Sequence, residues 1–259
     1  MTTDAGLFSV AGRRVLVTGG SHGLGAMLAA GLAEAGASVV VCGRDAAALD
    51  AVAGPLVAAG GDCTTVVADV STEDGCRSLA AAVTAGDAPL DVLVNNAGAA
   101  IDAPIEQLDD ATWDAVLAVN LKAVSHLVRF TLPALRASAH ERGAPARVVN
   151  VGSIAGLRVG ELDNYAYTAS KAALHHFTKH LARRLAPHVT VNAIAPGPFP
   201  SRLMAGVLAS HGEALARTVP LRRIGAPDDI VAAARYLCSP AGAWITGTIL
   251  TVDGGLSLT

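Results

Sequence analysis

Short runs of β-branched residues recur along the chain, at Val15-Leu-Val17, Val39-Val-Val-Cys42, Val66-Val67, Val92-Leu-Val94, Val148-Val-Asn-Val151, Val189-Thr-Val191 and Ile249-Leu-Thr-Val252. Their apolar residues are continuous rather than alternating, the pattern of strands buried on both faces. Between them the polar and apolar positions take a helical period, over roughly 24–35, 45–59, 72–86, 109–137, 166–186 and 227–238. Asp45 and Ser71 stand where helix N-caps are expected, and Pro187 stops the fifth helix. Strand and helix in strict alternation predict an α/β fold, doubly wound, with a parallel sheet covered by helices on both faces. No linker, low-complexity tract or internal repeat breaks the pattern, so residues 1–259 are expected to form one domain.

One stretch departs from the rhythm. Residues 198–212 follow a strand's carboxyl end, where open α/β sheets bind ligands. They begin Pro198-Phe-Pro-Ser-Arg202 and contain Phe199, Leu203, Met204, Val207 and Leu208. This segment reads as a mobile substrate lid; an ordinary crossover helix is the alternative.

Composition narrows the class. At 259 residues the chain can bury a large core. Hydrophobic residues make up 52%, much of it alanine, and every long apolar run contains an acid, a base or Gly-Pro, so no membrane span is expected. The start, Met-Thr-Thr-Asp, has neither a basic n-region nor an apolar h-region. A net charge of -3 without a basic cluster argues against a nucleic-acid partner. Cys42, Cys63, Cys76 and Cys238 are scattered, which suggests neither a zinc site nor a disulfide framework. A soluble protein of the reducing cytoplasm is expected.

Candidate chemistry gathers at three places. Thr18-Gly-Gly-Ser-His-Gly-Leu-Gly25 follows the first strand and opens a helix. In that context the glycines let backbone approach a pyrophosphate, whose charge the helix N-terminus favours. The second strand ends in Cys42-Gly43-Arg44, with no acid before Asp45. An acid there would hold the ribose hydroxyl of NAD; Arg44 instead suits a 2′-phosphate through charge-assisted hydrogen bonds, with His22 as a second donor. NADP(H) is therefore expected over NAD(H). Finally, Tyr167 and Lys171 stand four apart, on one face of a predicted helix. An ammonium beside a phenol favours the phenolate and lowers its pKa, making it a usable acid or base. Tyr165 has Ala169 at the equivalent position and lacks that partner.

Together these segments resemble the short-chain dehydrogenase/reductase family of the Tyr-x-x-x-Lys type. The resemblance runs the whole chain: Thr18-Gly-x-x-x-Gly-x-Gly25, Asp69-Val70, Asn95-Asn-Ala-Gly98, Asn120, Ser153, Tyr167-x-x-x-Lys171, and Pro196-Gly197 to Ser201. It implies a Rossmann-type sheet of seven strands in the order 3-2-1-4-5-6-7 and a catalytic tetrad of Asn120, Ser153, Tyr167 and Lys171. For the cofactor it implies Gly19, Ser21, His22, Gly23, Leu24 and Gly25 at the pyrophosphate, with Arg44, Asp69 and Val70 at the adenosine end. Asn95, Asn96, Ala97 and Gly98 are implied at the central strand, and Ile194, Pro196, Gly197 and Ser201, with Asn120, Tyr167 and Lys171, toward the nicotinamide. Asn120, on an apolar helical stripe with Trp113, Val116, Leu117, Val124, Leu127 and Val128, would find its partners in a water chain to Lys171.

Ser153 precedes Tyr167 by fourteen residues, one more than is common in the family, so the Leu157–Tyr165 loop is lengthened. That loop, with Pro196-Gly-Pro-Phe-Pro-Ser-Arg202, is similar to a subgroup that includes the rhamnolipid-pathway 3-oxoacyl reductase. The implied activity is NADPH-dependent reduction of a ketone, a 3-oxoacyl thioester foremost. The alternatives are oxidation of a secondary alcohol and a non-catalytic NADP-binding regulator. A homotetramer, or failing that a homodimer, is implied by the resemblance alone. His176 and His180 have metal-ligand spacing but no evident third ligand, so no metal is expected. Trp113 and Trp244 read as core or interface, and Arg222-Arg223 as a loop or subunit tether.

Overall fold

A computed structural model describes residues 4–160, 162–202 and 204–258. After a short helix α1 (Asp4–Leu7), seven strands alternate with helices: β1 (Arg14–Thr18), α2 (Gly23–Glu34), β2 (Ser38–Gly43), α3 (Ala46–Ala58), β3 (Asp62–Val67), α4 (Glu73–Val83), β4 (Val92–Asn95), α5 (Asp110–Leu117), α6 (Ala123–Arg142), β5 (Ala146–Val151), α7 (Tyr165–Leu185), β6 (Val189–Pro196), α8 (Ala205–Thr218), α9 (Pro227–Cys238) and β7 (Ile249–Val252). All strands are parallel, in the order β3-β2-β1-β4-β5-β6-β7. Neighbouring residues of each central strand serve opposite faces. Val15, Val17, Val39 and Val41 pack under Leu28, Leu32, Ile230 and Leu237 of α2 and α9. On the other face Leu16, Val40, Leu93 and Val148 pack under Leu79, Leu127, Leu135 and Leu174 of α4, α6 and α7. Each fully buried side chain of this kind contributes about 1.5–3 kcal/mol, so the central strands are the rigid platform on which everything else is mounted. The edge strands β3 and β7 are only partly buried and so less uniformly apolar than the rest.

Several expectations about the elements shift. The helix expected at 109–137 is not continuous: a π-helical turn, Ala118–Lys122, separates α5 from α6, which runs on to Arg142 before Gly143 ends it in the left-handed conformation (φ 60°). Asp45 caps α3 as expected, but the cap of α4 is Thr72, not Ser71. The Ser71 N–H is itself held by the Asp69 carboxylate, while the Thr72 hydroxyl accepts from Gly75. One helical run is long as well as apolar, though it carries Lys122 and Arg129 as the sequence pattern requires. The helical run Asp110–Arg142 is long and apolar enough, by length and composition, to cross a membrane, although Val116, Val124, Leu127 and Leu135 along it are buried in the core. Trp113 is half-buried, whereas Trp244 is 99% exposed and no part of the core.

Candidate active site

The predicted site segments that follow strands emerge at the carboxyl edge of the sheet, while Asn120 stands on the turn between α5 and α6, and Tyr167 and Lys171 on α7. β1 delivers the glycine-rich loop, β2 Arg44, β4 the Asn95–Gly98 segment, β5 Ser153 and β6 the Gly197–Ser201 turn.

The glycine-rich loop is built for close approach. A methyl at Gly25 would fall 2.1 Å from the Gly19 carbonyl oxygen, and one at Gly19 (φ 65°) would fall 2.9 Å from Ala97 Cα. Thr18 Oγ1 accepts from the N–H groups of Asn96 and Ala97, and the Asn96 amide donates to the Thr18 and Gly19 carbonyls, so β4 holds the loop in place. At the N-terminus of α2, His22 occupies the cap position in extended conformation without a capping side-chain bond, its ring bonded instead to the Ser21 hydroxyl at 2.7 Å. The N–H groups of that first turn, including those of Gly23, Leu24 and Gly25, therefore lack a side-chain acceptor, which an anion can supply. Arg44 stands exposed after β2, near enough to Asp69 for its charge to help lower that carboxyl, although the main cause is the bond from Ser71. Val70 is buried beside it. The turn after β6 closes over the loop from the other side, where Gly23 abuts Ser201 so closely that a methyl would lie 3.2 Å from Ser201 Cβ. Gly197 donates to Val252 and leaves no room for a side chain against Asp253. Pro196 is buried, and the Ile194 carbonyl is taken by Gly152. This donor set fits a dinucleotide: bare backbone and a helix N-terminus for the pyrophosphate, a free cation where a 2′-phosphate would sit.

The predicted tetrad converges. Lys171 is buried, 4% exposed, and its ammonium donates to the Val151 carbonyl at 2.8 Å. Ser153 caps a single turn, Ile154–Gly156, through a bond accepted from Ala155 N–H at 3.1 Å, and its hydroxyl stands near enough to the Tyr167 phenol to pull that group's pKa down. Asn120 accepts from Ala99 N–H at 2.8 Å and donates to the Ala99 carbonyl and to Ser170 Oγ, each at 2.9 Å. The π-helical turn makes this reach possible, by pushing one extra residue out of the helix toward the Ala99 backbone.

Two corrections follow. Protein groups satisfy the Asn120 amide, so no water chain is needed to partner it. And the Tyr167 pKa is raised, not lowered: burial dominates, the Ser153 hydroxyl only opposes it, and Lys171 has no part in the balance. The Lys171 ammonium lies 5.6 Å from the Tyr167 ring centroid and is turned toward Val151; burial pushes its own pKa down to about 8. Tyr165, the rival phenol, is exposed and bonded to Asp163.

Sequence reasoning missed Ser170, which links Asn120 to α7 and donates to the Tyr167 carbonyl at 2.6 Å. It missed the chain Asn95–Asn150–Thr178 joining β4, β5 and α7 as well. In the expected lid, Phe199 is a buried core residue packed against Gly225; Val207 and Leu208 are half-buried on α8, and Leu203 lies outside the described residues. Arg223 pairs with Asp229 at the start of α9 and tethers its loop, as expected. His176 and His180 are both exposed, and no group of three His, Cys, Asp or Glu among the described residues could hold a metal. The four cysteines are free and buried.

Comparison with known proteins agrees with this geometry. A family model described as enoyl-(acyl carrier protein) reductase matches residues 19–257. The chain is 45% identical to a rhamnolipids biosynthesis 3-oxoacyl-[acyl-carrier-protein] reductase of Pseudomonas aeruginosa, over 97% of this chain and 98% of that one. Among solved structures it is similar to a Pseudomonas aeruginosa RhlG/NADP complex, with 44% identity, a TM-score of 0.92 and coverage of 97% and 99%. It is also similar to a Burkholderia cenocepacia gluconate 5-dehydrogenase in complex with NADP and tartrate, with 29% identity, a TM-score of 0.90 and coverage of 98% and 99%.

Proposed function

The chain belongs to the short-chain dehydrogenase/reductase family, and on that premise we propose that it is an NADP(H)-dependent oxidoreductase that reduces a ketone to a secondary alcohol, with a 3-oxoacyl thioester as its substrate class. The observation that carries this reading is the meeting of the Ser153 hydroxyl and the Tyr167 phenol above the buried Lys171, beside a loop fitted to a dinucleotide. A bound NADPH supplies the hydride that reaches the carbonyl carbon. Ser153 donates to the carbonyl oxygen and stabilises the charge developing there. Tyr167, held protonated by burial, gives that oxygen its proton. Lys171 has ammonium protons to spare beyond the one given to Val151, and these hold the ribose hydroxyls. Asn120 fixes the Ala99 backbone and, through Ser170, the first turn of α7. Gly19, Ser21, His22, Gly23, Leu24 and Gly25 hold the pyrophosphate; Arg44, Asp69 and Val70 the adenosine end; Asn96, Ala97, Gly98, Pro196, Gly197 and Ser201 the remainder.

The choice of substrate draws on the likeness to the Pseudomonas 3-oxoacyl-[acyl-carrier-protein] reductase; the likeness to the gluconate 5-dehydrogenase favours a second reading, oxidation of a polyol or sugar acid. We read residues 1–259 as one domain with the 198–212 segment as its substrate lid, and the protein as a cytoplasmic homotetramer or homodimer, whose contacts would suit the exposed Trp244 and Leu258. The decisive experiment is kinetic. Tyr167→Phe and Ser153→Ala should leave NADPH affinity unchanged while turnover of 3-oxoacyl substrates falls by about 10²–10⁴-fold for the tyrosine, the worth of a positioned acid. Appreciable turnover by Tyr167→Phe refutes the acid role, and turnover of polyols but not of 3-oxoacyl thioesters by the wild type transfers the case to the second reading.

A further inference from the structure

His175 lies one helical turn beyond Lys171 on α7 and has no part in the mechanism above. It is only 5% exposed, and neither ring nitrogen makes a hydrogen bond of good geometry, Gly156 being the one backbone group near enough to act on it. An unpartnered buried polar group costs about 1–3 kcal/mol, a penalty that a hydrocarbon side chain in the same space would avoid. The ring's surroundings give it a purpose. A methyl on Gly152 would fall 2.2 Å from His175 Nε2, and one on Gly156 would fall 2.9 Å from His175 Cε1. Those two glycines bracket the Ser153 turn, and neither has positive φ, so no backbone conformation at either position calls for glycine. At Gly152 the imidazole itself calls for glycine; at Gly156 a methyl would meet the α7 backbone first, 2.7 Å from the Lys171 carbonyl carbon and 2.8 Å from Ala172 N, with the ring just behind. The gap is a slot between turn and helix that admits a flat group edge-on and has no room for a branched one.

We propose that His175 is a positioning residue: its imidazole, seated between Gly152 and Gly156, fixes the height of the Ser153 turn above α7 and so keeps the Ser153 hydroxyl against the Tyr167 phenol. Ser153 approaches from β5, and Tyr167 from α7. The turn is held to β6 by the Gly152 N–H bond to Ile194 and within itself by the Ala155 N–H bond to Ser153; its Gly156 end rests on the α7 backbone, and His175 supplies the contact that references the Gly152 end, next to Ser153, to the same helix. Burial first, and the Lys171 charge next, push the imidazole pKa down to about 4. It therefore stays uncharged beside the ammonium, and its contribution is shape rather than titration. The inference rests on Ser153 as the donor to the carbonyl oxygen.

Three variants test it, with kcat and KM for a 3-oxoacyl thioester, NADPH affinity by fluorescence, and far-UV circular dichroism as readouts. In His175→Leu the branched side chain should displace the turn; kcat should fall about 10–100-fold, the scale of a displacement near 1 Å, with NADPH affinity and helix content unchanged. In His175→Gln a planar amide reaches the Nε2 position, and kcat should return to near the wild-type value. Gly152→Ala attacks the same contact from the opposite side and should reproduce the kcat loss without touching α7, which keeps the inference testable if His175→Leu does not fold. Full kcat in either His175→Leu or Gly152→Ala overturns the proposal. So does a parallel loss of kcat, NADPH affinity and helix content in all three, which marks a purely structural residue. If Tyr167→Phe is inactive while His175→Leu keeps full kcat, the positioning role alone falls; if Tyr167→Phe is active, the catalytic reading itself has failed.

Discussion

Lys171 spends its ammonium on the Val151 carbonyl rather than on the phenol four residues before it. Spacing alone could not reveal this. A Tyr and a Lys at i and i+4 share a helix face, yet the length of the lysine side chain lets it follow a buried backbone acceptor, and burial then acts on both groups. The consequence is a pH dependence with a definite sign. Tyr167, with its pKa raised, keeps its proton at neutral pH and is a ready donor for carbonyl reduction. Lys171, pushed down to about 8, gives up its charge as the pH rises through that value. Since kcat/KM reports the free enzyme, kcat/KM for reduction should be level at neutral pH and decline above about 8, while that for alcohol oxidation, which needs the phenol deprotonated, should climb with pH. A reduction profile that stays level well beyond pH 9 contradicts the depressed lysine. Side-chain identity was thus legible where chemistry needs a rare group at a fixed spacing, as at Tyr167, Lys171 and the glycine loop. It was illegible where a common residue acts through its neighbours. Ser170 and His175 sit in helix periods that any packed residue could occupy.

The elements were easier to read than the joints between them. Runs such as Val39–Cys42 and Ile249–Val252 gave the strands away, since no solvated segment tolerates them, and β7 matches its run residue for residue. The interruption of the Asp110–Arg142 run was invisible, because a π-helical turn has no composition of its own; it shows only in the bonds that Asn120 makes to Ala99. What seats α7 was equally hidden. Asn95 donates to Asn150, Asn150 donates to Thr178 at 2.9 Å, and Thr178 donates to the Leu174 carbonyl, so a buried polar chain ties two central strands to the helix that bears Tyr167 and Lys171. Thr178→Val keeps the volume and removes the acceptor, leaving the Asn150 amide unsatisfied in the core. It should cost about 1–3 kcal/mol, read as a lower urea midpoint, while activity per folded molecule at 25 °C is retained. A variant as stable as the wild type would mean that the chain does not anchor the helix.

At the scale of the whole molecule, the two ends of the parallel sheet divide the labour. The carboxyl edge bears the exposed loops and the chemistry. The amino edge is closed by Asp91, just before β4 and 2% exposed, which accepts from Arg14 N–H at 2.7 Å, Ser138 Oγ at 2.6 Å and the guanidinium of Arg142, with Arg13 at 3.4 Å. Arg147, buried beside them, has its pKa pushed down to about 10 by that burial. These groups come from β1, α6 and β5 and their flanks, segments far apart in sequence, and only the closed sheet brings them together. Although burial opposes ionisation, the bonds from Arg142, Ser138 and Arg14 outweigh it, and the Asp91 carboxyl sits below its ordinary range. A depressed carboxyl stabilises the fold fully above its unfolded value, about 3.9, and that contribution drains away as the pH falls through the lower, folded value. Asp91→Asn should therefore cost about 1–3 kcal/mol at neutral pH, the penalty of leaving buried hydrogen-bond partners poorly satisfied, since the Arg142 side chain is itself 38% exposed. The gap between variant and wild type, followed by urea unfolding at a series of pH values, should narrow only in acid. Other carboxylates titrate in both proteins and cancel in that difference. A gap that is constant into strong acid would mean that Asp91 acts through its shape and hydrogen bonds and that its charge contributes nothing to closing the sheet.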